Sequence, residues 1–103
     1  LTEDEHCAAY LLPDMPWARR VSGIFANRLA TSSPARAHAV FTLNRHGDYT
    51  VSVRAPLAKP QGADVLCLKF DTGGGRAAAA GINRLPTGDM DRFLAAFRGQ
   101  YGA

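Results

Sequence analysis

Apolar side chains recur at spacings of three and four from Trp17 through Val21, Ile24, Phe25 and Leu29, a period that predicts an amphipathic helix of about four turns. Pro16 suits its first turn, where the missing N–H costs nothing. Thr31-Ser32-Ser33-Pro34 ends it. Arg19, Arg20, Asn27 and Arg28 fall off the stripe, either as a solvated face or as a basic wall beside a ligand. The period then changes to two. Ala37, Ala39, Phe41 and Leu43 alternate with His38, Val40 and Thr42, and Tyr49, Val51, Val53 and Ala55 alternate with Thr50, Ser52 and Arg54. Arg45-His46-Gly47-Asp48 between them reads as a turn, so the pair predicts an antiparallel hairpin with one polar flank.

After a Pro56–Gly62 loop, Asp64 to Phe70 predicts a short helix burying some combination of Val65, Leu66, Leu68 and Phe70. Residues 79–85 predict a third, partly buried strand closed by Pro86. Met90, Phe93, Leu94, Phe97 and Tyr101 then lie on one face of a final helix, with Thr87 as its cap and Asp89 in its first turn. Residues 1–16 carry little pattern. Thr2-Glu3-Asp4-Glu5 suits a short helix opening, and Pro13 and Pro16 stop it, so this stretch reads as a linker or partly ordered arm. Residues 17–103 then form a single α+β domain, a small sheet of about three strands packed by N- and C-terminal helices. The first residue is Leu1 rather than Met, which suggests a piece of a longer protein.

Composition changes this picture little. The chain has 103 residues, 47% hydrophobic and 20% charged, enough for one modest core. Its net charge of +3 is compatible with an anionic partner without requiring one. Lys59 and Lys69 are the only lysines, so arginine, which can fork a phosphate, carries most of the positive charge. Cys7 and Cys67 lack CxxC spacing and are expected as reduced thiols of a cytoplasmic protein. No apolar run is long enough to span a membrane, so no membrane partner is expected. His6, His38 and His46 are scattered, and no metal site or catalytic residue is expected in this chain.

The candidate chemistry lies in Asp71-Thr72-Gly73-Gly74-Gly75-Arg76 and the slim Ala77–Gly81 that follows. Consecutive glycines let a ligand approach the backbone, and successive amides in a loop can form an anion-binding concavity. Arg76 adds a planar cation. The alternative is a plain surface turn. Ser52 and Arg54 share one strand face about 7 Å apart, a second candidate contact or an exposed strand face paired with carboxylates.

Ser52-Val53-Arg54 on a strand, then a short helix, then Gly73-Gly74-Gly75-Arg76 and Ala79-Ala80-Gly81, resemble the C-terminal associated domain of the DHH phosphoesterases, over roughly residues 17–101. That superfamily includes single-strand exonucleases, nanoRNases and cyclic-dinucleotide phosphodiesterases. The resemblance implies a substrate-binding module for a nucleotide or short single-stranded oligonucleotide. It also implies a separate upstream catalytic domain of the same polypeptide that holds a divalent metal such as manganese. It assigns Arg54 to a substrate phosphate and Gly73, Gly74 and Gly75 to the loop approaching the nucleotide. Family members usually carry histidine where this chain has Arg76, so binding carries over, but no role that needs imidazole. Two other readings stand beside it. One is a protein interaction module with no small ligand. The other is an acyltransferase whose glycine loop holds coenzyme A pyrophosphate, which needs a loop opening a helix.

Overall fold

In the computed structural model, which describes residues 2–102, the expected N-terminal arm is part of the sheet. Leu1 and Ala103, the outer ends of the expected arm and domain, lie outside the described residues. Thr2–Glu3 (β1) does not open a helix but pairs antiparallel with Cys7–Leu11 (β2). Asp4 turns the chain between them, its Oδ1 accepting from the amides of His6 at 2.7 Å and Cys7 at 2.8 Å. The Cys7 amide, then that of His6, holds the Asp4 carboxyl below its usual range. Cys7, Ala8 and Ala9 are consecutive and all buried, so β2 is covered on both faces. Such a strand has no alternation to betray it.

The first helix, Pro16–Ser32 (α1), connects β2 to Ala37–Leu43 (β3), and the two strands are parallel. Parallel pairing requires a crossover, which α1 supplies. Its buried residues are Ala18, Ala26 and Ala30, while Trp17 and Ile24 of the expected stripe are 43% and 65% exposed. Alanine against the sheet lets the helix lie low, while Val21, Phe25 and Leu29 are half-buried, Phe25 with its ring 5.9 Å from Tyr10 of β2. Tyr49–Arg54 (β4) completes the expected hairpin, with His38 opposite Arg54 and Val40 opposite Ser52.

Next come Ala63–Cys67 (α2), Gly73–Gly75 (β5), Ala79–Leu85 (β6), a 3-10 turn at Thr87–Asp89 and Met90–Tyr101 (α3). In α2, Leu66 is buried while Val65 is exposed, and of the residues that follow it Phe70 is buried and Leu68 exposed. Thr87 lies in the 3-10 turn rather than capping α3, which has no side-chain cap. The α+β class stands, but the sheet has six strands rather than about three, in the order β1-β2-β3-β4-β6-β5. The glycine segment expected as a loop is the outermost strand, paired antiparallel with β6.

The faces of the sheet carry separate cores. On the α2–α3 side, Phe41, Val51, Val53, Ile82, Leu66, Phe93 and Phe97 form one cluster. Phe93 is its centre, with ring centroids 5.3 Å from Phe41, 5.5 Å from Phe70 and 5.9 Å from Phe97. Cys67 joins this cluster as a free thiol, and burial, then the Asp64 charge, pushes it up to about 11. On the α1 side, His38 is buried beside Val40, and its Nδ1 has no hydrogen-bond partner. Burial and the Arg36 charge together lower its pKa.

Replacing Phe93 by alanine is expected to destabilise the fold by about 3–5 kcal/mol, read as the shift in a urea unfolding curve. A second expectation concerns acid. The His38 pKa in the folded chain lies below its ordinary 6.5. Its contribution is complete above that value, and as pH falls below it the unfolded chain takes up the proton first. The urea midpoint should therefore drop as pH falls through 6.5 and below, and His38→Leu should flatten that drop. An equal acid sensitivity in both proteins would remove His38 as its source.

Candidate functional site

The three glycines of β5 differ in what the fold asks of them. A Cβ on Gly73 would overlap the Cys67 carbonyl oxygen, so the strand runs against the end of α2 backbone to backbone. Gly75 has φ of +141°, and a Cβ there would meet the Ala80 Cα at 2.5 Å. Gly74 is different: nothing lies within 4 Å of the position its Cβ would take. Two of the three are therefore required by packing and backbone, and the third leaves open space.

The register puts that space beside the polar strand face. Ser52 lies opposite Gly81, and Gly81 lies opposite Gly74. Directly paired residues point to the same side, so these three share the face that Arg54 also occupies. Gly81 is itself constrained, since a Cβ there would lie 2.7 Å from the Val51 carbonyl oxygen. The expected concavity of successive amides is not formed, because in a strand successive amides point to opposite edges. What stands in its place is a flat shelf without side chains, next to the Ser52 position.

Arg76 follows β5 in the turn to β6, and that turn is not loose. The Arg76 amide donates to the Ala79 carbonyl at 2.8 Å. The carbonyls of Ala77 and Ala78 accept from the amides of Ala63 and Ala55, each at 3.0 Å. The turn is thus tied to the start of α2 and the end of β4. Arg54 comes from the last residue of β4, and its Nε donates to Asn27 Oδ1 of α1 at 2.8 Å. Its Nη1 donates to the Val53 carbonyl at 3.2 Å. Burial first, and the Arg76 charge second, push the Arg54 pKa below its usual value. Two guanidinium groups therefore lie within electrostatic reach. Neither takes part in an ion pair with a carboxylate among the described residues. A shallow cavity of about 260 Å³ opens here between Asn27, Thr31, Arg54, Leu57 and Ala79.

A larger cavity, about 420 Å³, lies elsewhere, among Asp48, Thr72, Arg84, Asp89 and Arg92. Its arginines are already compensated. Arg84 Nε is 3.1 Å from Asp48 Oδ2, and Arg92 Nη2 is 3.3 Å from Asp89 Oδ2 with its guanidinium over Phe70. Thr72 at its wall has φ of +62°, rare for a β-branched residue, and its Oγ1 accepts the Arg84 amide at 2.9 Å. Size favours this cavity, and Lys69 also lines it; the smaller one offers Arg54, a guanidinium in no ion pair among the described residues, which can fork an anion as a lysine cannot.

Of the sequence-predicted residues, the sheet register brings Arg54, Ser52, Gly74 and Gly81 to one face. Arg76 follows in the adjoining turn with its charge acting on Arg54, and Gly73 and Gly75 serve the strand itself. Arg19, expected on a basic wall, instead donates to the Leu43 carbonyl at 2.9 Å and lies 3.7 Å from Asp14. Thr31 and Leu57 of the cavity wall had no signal in the sequence, since their role depends on where α1 crosses β4. No protein-family model matches this chain, and no curated protein matches it. Among the described residues no helix is long and apolar enough to cross a membrane.

Gly73→Ala is expected to destabilise by about 1–3 kcal/mol or more, because the overlap is with backbone that cannot rotate away. Gly74→Ala should stay within about 0.5 kcal/mol of the parent. Thermal melts of the two variants test the division; comparable losses in both would contradict it.

Proposed function

We propose that this chain is a phosphate-gripping module that holds a nucleotide or a short single-stranded oligonucleotide for hydrolysis by a separate metal-bearing domain, as the small domain of the DHH phosphoesterases does. The observation that carries the reading is Arg54, a half-buried guanidinium held by the neutral acceptors Asn27 and Val53, with the Arg76 charge acting on it and neither arginine in an ion pair among the described residues. Two like charges held by backbone constraints disfavour each other, and an anion bound beside both relieves that repulsion. A phosphate accepts from both forks. The open space at Gly74 and the shelf at Gly81 let the rest of the ligand lie close to the sheet, with the Ser52 hydroxyl at its margin.

In this reading the chain contributes placement, which supplies a large part of an enzyme's advantage. The divalent metal, manganese by the resemblance, supplies Lewis-acid chemistry from residues of the catalytic domain. The reducing cytoplasm suits the two free buried thiols, Cys7 and Cys67. A coenzyme A pyrophosphate fits less well, since the glycines form a strand leading into a turn rather than opening a helix. The protein interaction reading draws on one observation, the exposed Leu11, Met15, Trp17 and Ile24 on and beside α1.

A fluorescence titration with a 5′-phosphorylated single-stranded pentanucleotide at two salt concentrations tests the proposal. Arg54→Ala and Arg76→Ala should each weaken binding several-fold with the fold intact by circular dichroism. Each should also reduce the slope of log affinity against log salt by about 0.7. Binding indifferent to both substitutions would move the chain to the interaction reading.

A further inference from the structure

We infer that Asn27 is a positioning residue that aims Arg54 while leaving its charge available, an inference that rests on the phosphate-gripping reading above. The Arg54 Nε–H can only donate, so the amide oxygen of Asn27 is the atom that accepts at 2.8 Å. The second acceptor of this guanidinium is the Val53 carbonyl. Both acceptors are neutral. The guanidinium plane is thus fixed from the helix and from its own strand, and Nη2 has no partner among the described hydrogen bonds.

The ion-paired arginines of the protein show what the alternative looks like. Arg19, Arg84 and Arg92 each lie against an aspartate. An aspartate at position 27 would accept the same Nε–H with nearly the same shape. It would also bring a negative charge to the guanidinium and compete with any anionic ligand. Choice of amide over carboxylate separates two tasks that a salt bridge would merge, fixing the side chain and neutralising it. Asn27 is itself held in a regular part of α1, where its carbonyl accepts from Thr31 Oγ1 at 3.0 Å. It is exposed, so substitution there leaves the packed core alone.

This assigns Asn27 a role in specificity as well as geometry. The Arg54 site, with its charge uncompensated and the Arg76 charge acting on it, favours an anion that accepts from the guanidinium. A neutral ligand of the same shape gains nothing from either charge.

The test compares the parent chain with Asn27→Asp and Asn27→Ala, using the 5′-phosphorylated pentanucleotide and the same strand without its 5′-phosphate. Asn27→Asp should melt at or above the parent temperature, because it adds an ion pair, yet bind the phosphorylated strand at least tenfold more weakly. Its salt slope should fall by about 0.7, the loss of one phosphate contact. Asn27→Ala, which frees Arg54 without neutralising it, should weaken binding only a few-fold and keep most of the salt slope. A purely structural role would move melting and binding together. Parent-like binding by Asn27→Asp, with the parent itself binding through Arg54 and Arg76, would overturn the assignment of Asn27 alone. Parent-like affinity in Asn27→Ala would overturn the aiming role. No binding by the parent would overturn the phosphate-gripping reading and this inference with it.

Discussion

The close approach of Gly73 to the end of α2 sets where the half of the sheet that carries the candidate site lies. With no Cβ at this position, β5 can run against the Cys67 carbonyl, and the Gly73 amide reaches the Phe70 carbonyl at 3.1 Å. Any side chain would push the strand off the helix and off β6 with it. From that fixed point the chain passes through Gly74 and Gly75 into a turn whose carbonyls are held by the amides of Ala63 and Ala55. Arg76 is therefore placed by backbone bonds on both sides of it. A long, flexible side chain gains a defined origin from a glycine three residues earlier.

The sheet assigns its faces different work. On the α2–α3 side the aromatic rings around Phe93 fill the space between strands and helices, and nearly every strand residue facing them is apolar. On the α1 side small residues hold the helix, and the same face carries His38, Ser52 and Arg54. Burial of those polar groups has consequences. It lowers the pKa of both His38 and Arg54, disfavouring the charged form in each case. For His38 this favours the neutral imidazole, whereas arginine stays protonated even when partly buried.

Much of this was legible in the sequence. The strand Tyr49–Arg54 and the Met90–Tyr101 helix followed from apolar periods of two and of three to four, because each buries one face more than the other. Ala37–Leu43, buried on both faces, was legible through the turn that joins it to Tyr49–Arg54. The strand Cys7–Leu11 was not, since a segment covered on both sides has no alternation. Trp17 and Ile24 misled for a related reason. The apolar stripe of α1 drew attention to its large residues, while the face that touches the sheet is marked by Ala18, Ala26 and Ala30. Gly73-Gly74-Gly75 read as a loop because glycine is poor in strands. Here close backbone approach, not intrinsic preference, decides. For the site itself, Arg54 and Arg76 stood out by residue type, but their nearness to Asn27 depends on the crossing of α1 over β4 and has no local signature.

The lengths of the strands carry a consequence for how the molecule behaves in a crowd of its own copies. The sheet ends on one side in β1, two residues long, and on the other in β5, three residues long. An exposed strand edge is a template on which another chain can add its own backbone, and the hazard grows with the length of flat edge offered. The longer, more apolar strands β3, β4 and β6 are all interior to the order, each with a neighbour on both sides. At the β5 edge, the positive φ of Gly75 twists the backbone away from a flat ladder within that short span. The described margins of the sheet are thus short, which makes each a poor template for a second sheet.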